Sequence, residues 1–227
     1  MPLQEQSARK QQEKTQVKLG ESAVGVEIFR YDGEGKNVIL HLHQNELPSL
    51  AAAKDVASEL GGSVITISQA KAGRYKEFKF GNFTVKFDPN RIFTDIGIEK
   101  TLVFSQRGKI VKPDGETRRM AVQEVQKFRG VLLSIVDAEI AATGAKRLVV
   151  AHNNVAGEKY FHVTRKEDGK ALSAKGYSVT LEDLKDNDGS LSVYFATSRK
   201  TFSYLNVEAG YKDNAAQKQM LEAALGY

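Results

Sequence analysis

The chain has 227 residues, 41% of them hydrophobic, with 33 Lys and Arg against 28 Asp and Glu, a net charge of +5, four His and no Cys. A chain this long can bury roughly 70% of its unfolded surface around one core, so a single folded domain is expected, and the lack of Cys excludes disulfide scaffolds, Cys-type zinc fingers, iron–sulfur clusters and thiol nucleophiles, leaving any metal to His, Asp and Glu. The basic excess is modest and partly terminal (Arg9, Lys10, Lys14 and Lys18 against Glu5 and Glu13), which argues against nucleic acid as a partner, and no apolar run approaches the ~18 residues of a membrane span.

Residues 1–19 carry almost no apolar side chains and are expected to form a flexible polar tail, with the folded domain over 20–227. Their start, MPLQEQSARKQQEKTQ, lacks the apolar stretch of a signal peptide; a cell-envelope location requires a leader removed ahead of residue 1, and the cytoplasm is expected otherwise. Strands follow over 24–30 and 37–43, with a turn at Asp32-Gly33-Glu34-Gly35 between them. A helix spans 50–60, with Pro48 in its first turn and Gly61-Gly62 as its stop, and then a strand spans 63–67. A hairpin joins 78–80 to 83–87 through Gly81-Asn82. The basic stretch 107–119 is diluted by Asp114 and Glu116 and reads as a solvated loop leading into the longest helix, 117–142, which Gly144 ends. Strands over 147–151, 191–196 and 202–207 and a closing helix over 215–225 complete the pattern. Strands alternating with helices imply an α/β fold with a mixed, mostly parallel central sheet and helices on both faces. Ligands in such sheets bind outside the carboxyl ends of strands, and that is where the chemistry is sought.

The strand over 37–43 ends in His41-Leu42-His43-Gln44-Asn45-Glu46, and a short turn there can aim the His43 imidazole and the Glu46 carboxylate at one point. The strand over 147–151 runs into His152-Asn153-Asn154, which brings a second imidazole to the same edge. Two His and one carboxylate with an open fourth position form the ligand set of a hydrolytic zinc; each residue alone also reads as a polar cap of a strand end. Asp88-Pro89-Asn90-Arg91 sets an Arg beside an Asn after a turn, suited either to grip a carboxylate or to be a surface charge. Glu208 ends the apolar strand Tyr204-Leu205-Asn206-Val207, as a general base or as an exposed strand-end carboxylate.

In chain order these fragments resemble the zinc carboxypeptidase (M14-like) family and its related deacylases of the aspartoacylase and succinylglutamate desuccinylase type. The resemblance covers roughly residues 37–225 and rests on His43 and Glu46, then Asn90 and Arg91, then His152, then Glu208. It implies a carboxypeptidase-like metallohydrolase domain with one Zn2+ on His43, Glu46 and His152, Glu208 as the catalytic base, and Asn90 and Arg91 as the substrate-carboxylate grip. It also implies that Asp88 orients the first zinc imidazole and that Arg74 stabilises the oxyanion. The activity implied is hydrolysis of an amide next to a free carboxylate, in peptides, including bacterial cell-wall peptides, or in N-acyl amino acids. A non-catalytic carboxylate-binding module on the same fold is the reading from another class.

The chain departs from the family pattern in its short length and in Gln44, where a Gly often follows the first zinc His. The tyrosine that closes over substrate is not placed by any motif; Tyr160, Tyr194 and Tyr204 are the candidates. His41-Leu42-His43 also matches the His-x-His of barrel amidohydrolases, but a barrel needs about 250 residues, so His41 is expected to line the site as a neighbour. His162 is expected to be structural or exposed.

Overall fold

A computed structural model describes residues 10–185 and 187–226. In chain order it comprises β1 (Lys10–Leu19), β2 (Ser22–Tyr31), β3 (Val38–His41), α1 (Leu47–Leu60), β4 (Gly62–Ser68), β5 (Lys76–Phe80), β6 (Phe83–Phe87), a 3-10 turn (Pro89–Arg91), α2 (Asp95–Thr101), β7 (Val103–Gln106) and β8 (Lys109–Ile110). The second half adds α3 (Gly115–Thr143), β9 (Arg147–Asn154), β10 (Tyr160–Val163), α4 (Lys166–Ala174), β11 (Val179–Leu181), α5 (Leu191–Ser198), β12 (Ser203–Gly210) and α6 (Asn214–Leu225).

An eight-stranded sheet in the order β1-β2-β4-β3-β9-β12-β10-β11 forms the centre. Its four middle strands β4, β3, β9 and β12 run parallel, as does the β10/β11 pair, whereas β1/β2, β2/β4 and β10/β12 are antiparallel. Strands such as β3 (Val-Ile-Leu-His) and β9 are buried on both faces, which suits their near-continuous apolar runs. One face packs on α3, α5 and the small antiparallel sheet β5-β6-β7-β8 through residues such as Leu40, Phe87, Phe128 and Phe195; the other packs on α1, α4 and α6 through Val56, Val149, Leu172 and Leu221. Helix α3 is started by Asp114, whose Oδ1 accepts from the Thr117 amide at 2.7 Å, and it is held to the sheet by buried Glu139, which accepts from Arg30 Nε at 3.0 Å and Ser63 Oγ at 2.6 Å. Among the described residues no helix is long and apolar enough to cross a membrane.

Two expectations are corrected. Residues 10–19 are a strand rather than part of a flexible tail; residues 1–9 lie outside the described residues. All ten pair in register with β2, which satisfies the backbone groups on that side of this edge strand, and only Val17 and Leu19 need burial while Lys14 pairs with Glu27 and Glu13 with Arg30 across the ladder. Residues 191–196, read as a strand, belong to helix α5, because Ser190 Oγ caps the Val193 amide and three large side chains, Leu191, Val193 and Phe195, find burial on the helix.

Lys76, at the start of β5, is fully buried and donates to Gln44 Oε1 at 2.8 Å; Gln44 in turn is tied to the Gln69 backbone at 2.9 and 3.0 Å. Burial pushes the Lys76 ammonium down to about 8. The unfolded chain, with an ordinary lysine, binds more protons than the native state above that pH, so stability contributed at this position rises as pH increases from about 8 to about 10.5. Urea unfolding at the two ends of this window should show the wild-type protein gaining on Lys76→Met by on the order of 2–3 kcal/mol as the charge is removed.

Candidate functional site

Strands β3, β9 and β12 are adjacent and parallel, so their carboxyl ends open on one side of the sheet. Beyond β3 the chain makes a tight turn in which the Glu46 amide donates to the His43 carbonyl at 2.9 Å, and α1 begins at once with Pro48 in its first turn. This returns the Glu46 side chain beneath His43. The Glu46 carboxylate lies between two imidazoles, Oε1 at 2.9 Å from His43 Nδ1 and Oε2 at 2.9 Å from His152 Nδ1, and Oε2 also accepts from the Asn153 amide at 3.0 Å. The two rings are 4.8 Å apart between centroids, and His43, Glu46 and His152 are all at most 3% exposed.

A second carboxylate completes the cluster. Asp88 Oδ1 sits 2.9 Å from His43 Nε2 and is fixed by the Asn90 amide at 2.9 Å, while Arg74 lies 3.3 Å from Asp88 Oδ2 and 3.6 Å from Glu46 Oε1. Burial raises the pKa of both carboxyl groups, but the hydrogen bonds from His152 and His43 outweigh it for Glu46, and that from His43 for Asp88: Glu46 falls well below the ordinary carboxylate range and Asp88 to about 2. Burial would likewise lower His43, yet Asp88 and Glu46 on its two nitrogens reverse the sign and shift it upward. A carboxylate at each ring nitrogen favours the charged form of His43.

These residues fit a metal ion. One ligand atom from each of His43, Glu46 and His152 lies within 4.8 Å of the others, and the two-nitrogen, one-carboxylate set has the composition that zinc takes in hydrolytic sites. Two buried carboxylates, Glu46 and Asp88, converge here with one half-exposed guanidinium beside them, a surplus of carboxylate over permanent cation that suits a dication once His43 gives up its proton to act as a ligand. His152 Nε2 is buried with no hydrogen-bond partner among the described residues. Asp88 holds the far nitrogen of His43, a contact of the kind that sets ring orientation and ligand basicity. Competition against a chromophoric chelator should find that Asp88→Ala weakens zinc binding by about 10–100-fold.

The cluster forms one wall of a cavity of about 320 Å3. Arg74, Asn90, Arg91 and Glu208 also line it, so all the site residues expected from the sequence except Asp88 reach its surface, and Asp88 stands directly behind His43. Glu208 is the β12 partner of His152 in register, and its Oε1 accepts from Asn206 Nδ2 at 3.1 Å. Arg91 is paired with Asp188, from the loop ahead of α5. Tyr160 and Tyr204 line the cavity, and Tyr194 is absent from its described lining; Tyr211, not anticipated, lines it too and accepts from Asn45 at 3.0 Å.

Of the two remaining histidines, one is corrected. His41 does not line the cavity: it is fully buried, bridges Thr66 Oγ1 at 2.9 Å and the Glu46 carbonyl at 3.0 Å, and burial pushes it down to about 3, so it is a neutral strut under the Glu46 turn. His162, expected to be structural or exposed, lies in the cavity wall 3.3 Å from Glu182 Oε2. Asn206 was open to detection, being two residues before Glu208 on the same strand face; nothing in the spacing of Asp188 marks it as the partner of Arg91.

No protein-family model matches the sequence, and no curated protein does. Among solved structures, the chain is 14% identical to a candidate succinylglutamate desuccinylase/aspartoacylase from Shewanella frigidimarina (96% of this chain, 71% of that one, TM-score 0.49). It is 13% identical to an aspartoacylase family protein from Mesorhizobium loti (97% and 68%, TM-score 0.46) and 11% identical to a candidate metallopeptidase from Shewanella amazonensis (93% and 84%, TM-score 0.40). Likeness at this level leaves activity to the chemistry of the site.

Proposed function

We propose that the chain is a zinc-dependent hydrolase that cuts an amide bond next to a free carboxylate, in the manner of the zinc carboxypeptidases. The observation that carries this reading is a single cavity onto which a buried His-Glu-His set, a strand-end carboxylate and an Asn-Arg pair all open. In this reading His43, Glu46 and His152 hold one zinc ion, which when bound polarises the scissile carbonyl and lowers the pKa of water.

Glu208 takes a proton from the attacking water and delivers it to the leaving nitrogen; Asn206, hydrogen-bonded to Oε1, orients it for both transfers. Asn90 and Arg91 grip the substrate carboxylate, so that the amide is presented in one pose. Arg74 keeps guanidinium N–H groups free beside its contacts to Asp88 and Glu46, and these face the charge that develops on the carbonyl oxygen, a contribution typically of about 3 kcal/mol. Asp88 acts through His43.

The small, mostly polar-lined cavity favours a compact substrate and supports a second reading, deacylation of an N-acyl amino acid of the aspartoacylase type. Assays of zinc-loaded protein against N-acyl amino acids and against cell-wall muropeptides separate the two. Glu208→Gln is expected to keep full zinc occupancy while lowering kcat by about 100-fold or more. Retained turnover in this variant would remove Glu208 from its role, and a wild-type protein that takes up no stoichiometric zinc and hydrolyses neither class would leave the carboxylate-binding module.

A further inference from the structure

Building on the carboxylate grip proposed for Arg91, we infer that Asp188 makes the site selective for an acid end that also carries an ammonium group, an α-amino-acid head rather than a bare carboxylate.

The basis is the pairing of Arg91 with Asp188 inside the cavity and the way both are held. The loop carrying Asp188 is stitched to the loop carrying Arg91. The Phe93 amide donates to the Gly189 carbonyl at 2.9 Å, Thr94 Oγ1 to Asn187 Oδ1 at 3.0 Å, and the Leu191 amide reaches Asn90 Oδ1 at 3.5 Å. Gly189, at φ +79°, lies so close to Gly97 that a Cβ on either would overlap the other's backbone. Asp188 itself accepts from the Ser190 amide at 2.8 Å. Its carboxylate is thereby held toward the Arg91 guanidinium, and both side chains remain more than a third exposed and open to a ligand.

A bare carboxylate docking on Arg91 must settle beside the like charge of Asp188, and like charges at such range are disfavoured. A head group with an ammonium one carbon from its carboxylate meets the pair side by side, carboxylate on Arg91 and ammonium on Asp188, with every charge opposed. Among the described lining residues no lysine offers Asp188 another partner. The α-nitrogen of such a substrate is free, so the amide brought to Glu208 is carried by the side chain of the gripped residue, an ω-linked or isopeptide-type amide. Its hydrolysis breaks the C–N bond, forms a C–O bond from water, and passes the water proton to the side-chain nitrogen, giving an acid and an amine. The carboxylate grip of the proposed function is kept; what changes is where on the residue the cut amide lies.

The test compares two isomers, Nε-acetyllysine with a free amino-acid head and Nα-acetyllysine with a blocked head and a free side-chain ammonium. Both are titrated calorimetrically into the full chain, with and without equimolar zinc so that chelation of the ion is separated from binding to the protein. Wild-type protein should bind the Nε isomer about tenfold more tightly. Asp188→Asn, whose Oδ1 can still accept from the Ser190 amide, should erase that preference without lowering the Tm. Equal or reversed affinities in the wild type, no binding of the Nε isomer, or a preference that survives Asp188→Asn would each overturn the inference. Arg91→Met should weaken both isomers; if it weakens neither, the carboxylate grip itself fails, and the inference with it.

Discussion

The Glu46 carboxylate, shared between the imidazoles of His43 and His152, is the interaction around which the site is organised. Three ionisable groups removed from water are costly unless each finds a partner of opposite charge or a hydrogen bond. Here each oxygen of Glu46 meets a ring nitrogen, one of them meets a backbone amide as well, and His43 is answered on its second nitrogen by Asp88. The cluster is viable only where three separate chain segments arrive within hydrogen-bond reach of one point. That requirement constrains the strand order, the turn after β3 and the start of α1 together.

Asn153 shows how tightly those constraints interlock. Its amide donates to Glu46, its side-chain oxygen accepts from the Ser49 amide in the first turn of α1 at 2.8 Å, and its side-chain nitrogen reaches the Ala209 carbonyl of β12 at 3.3 Å. One residue thus ties β9, α1 and β12 to the carboxylate between the histidines. From below, neutral His41 holds the Glu46 carbonyl, and the buried Lys76 holds Gln44, the residue after His43. Gln44 is where the small sheet is fastened to the site, because its side chain reaches both Lys76 and the Gln69 backbone.

Much of this was legible in the sequence because the central strands are written in β-branched and apolar residues that leave few alternatives, and because the chemistry sits at their ends in short motifs. His43, Glu46, His152 and Glu208 share one cavity wall for that reason. The elements missed are those whose stability is tertiary. Strand β1 is polar along most of its length and is held by its ladder with β2 and by cross-strand ion pairs, none of which leaves a hydrophobic period to read. Helix α5 is apolar on nearly every side, so its residues carry a strand's propensity, and the burial that decides in favour of a helix depends on packing against β12, where Phe195 meets the Tyr204 ring. The short α2, β10, α4 and β11 have too few residues for periodicity to accumulate.

The same distinction separates the two kinds of charge in the cavity. Charges answered within a motif, such as His43 with Glu46 three residues on, can be inferred from spacing. Arg91 reads in the sequence as a lone cation, either a carboxylate grip or a surface charge, because its partner Asp188 lies 97 residues further along the chain. The glycine contact between α2 and the loop before α5 is what converts that distance into a fixed pair, since only two residues without Cβ let the backbones touch at Gly97 and Gly189. A cation that is free in the sequence is thereby a half of an ion pair in the fold. The electrostatic demand of the cavity consequently shifts from a single anion to a group bearing both signs, which an Asn-Arg dipeptide alone would never specify.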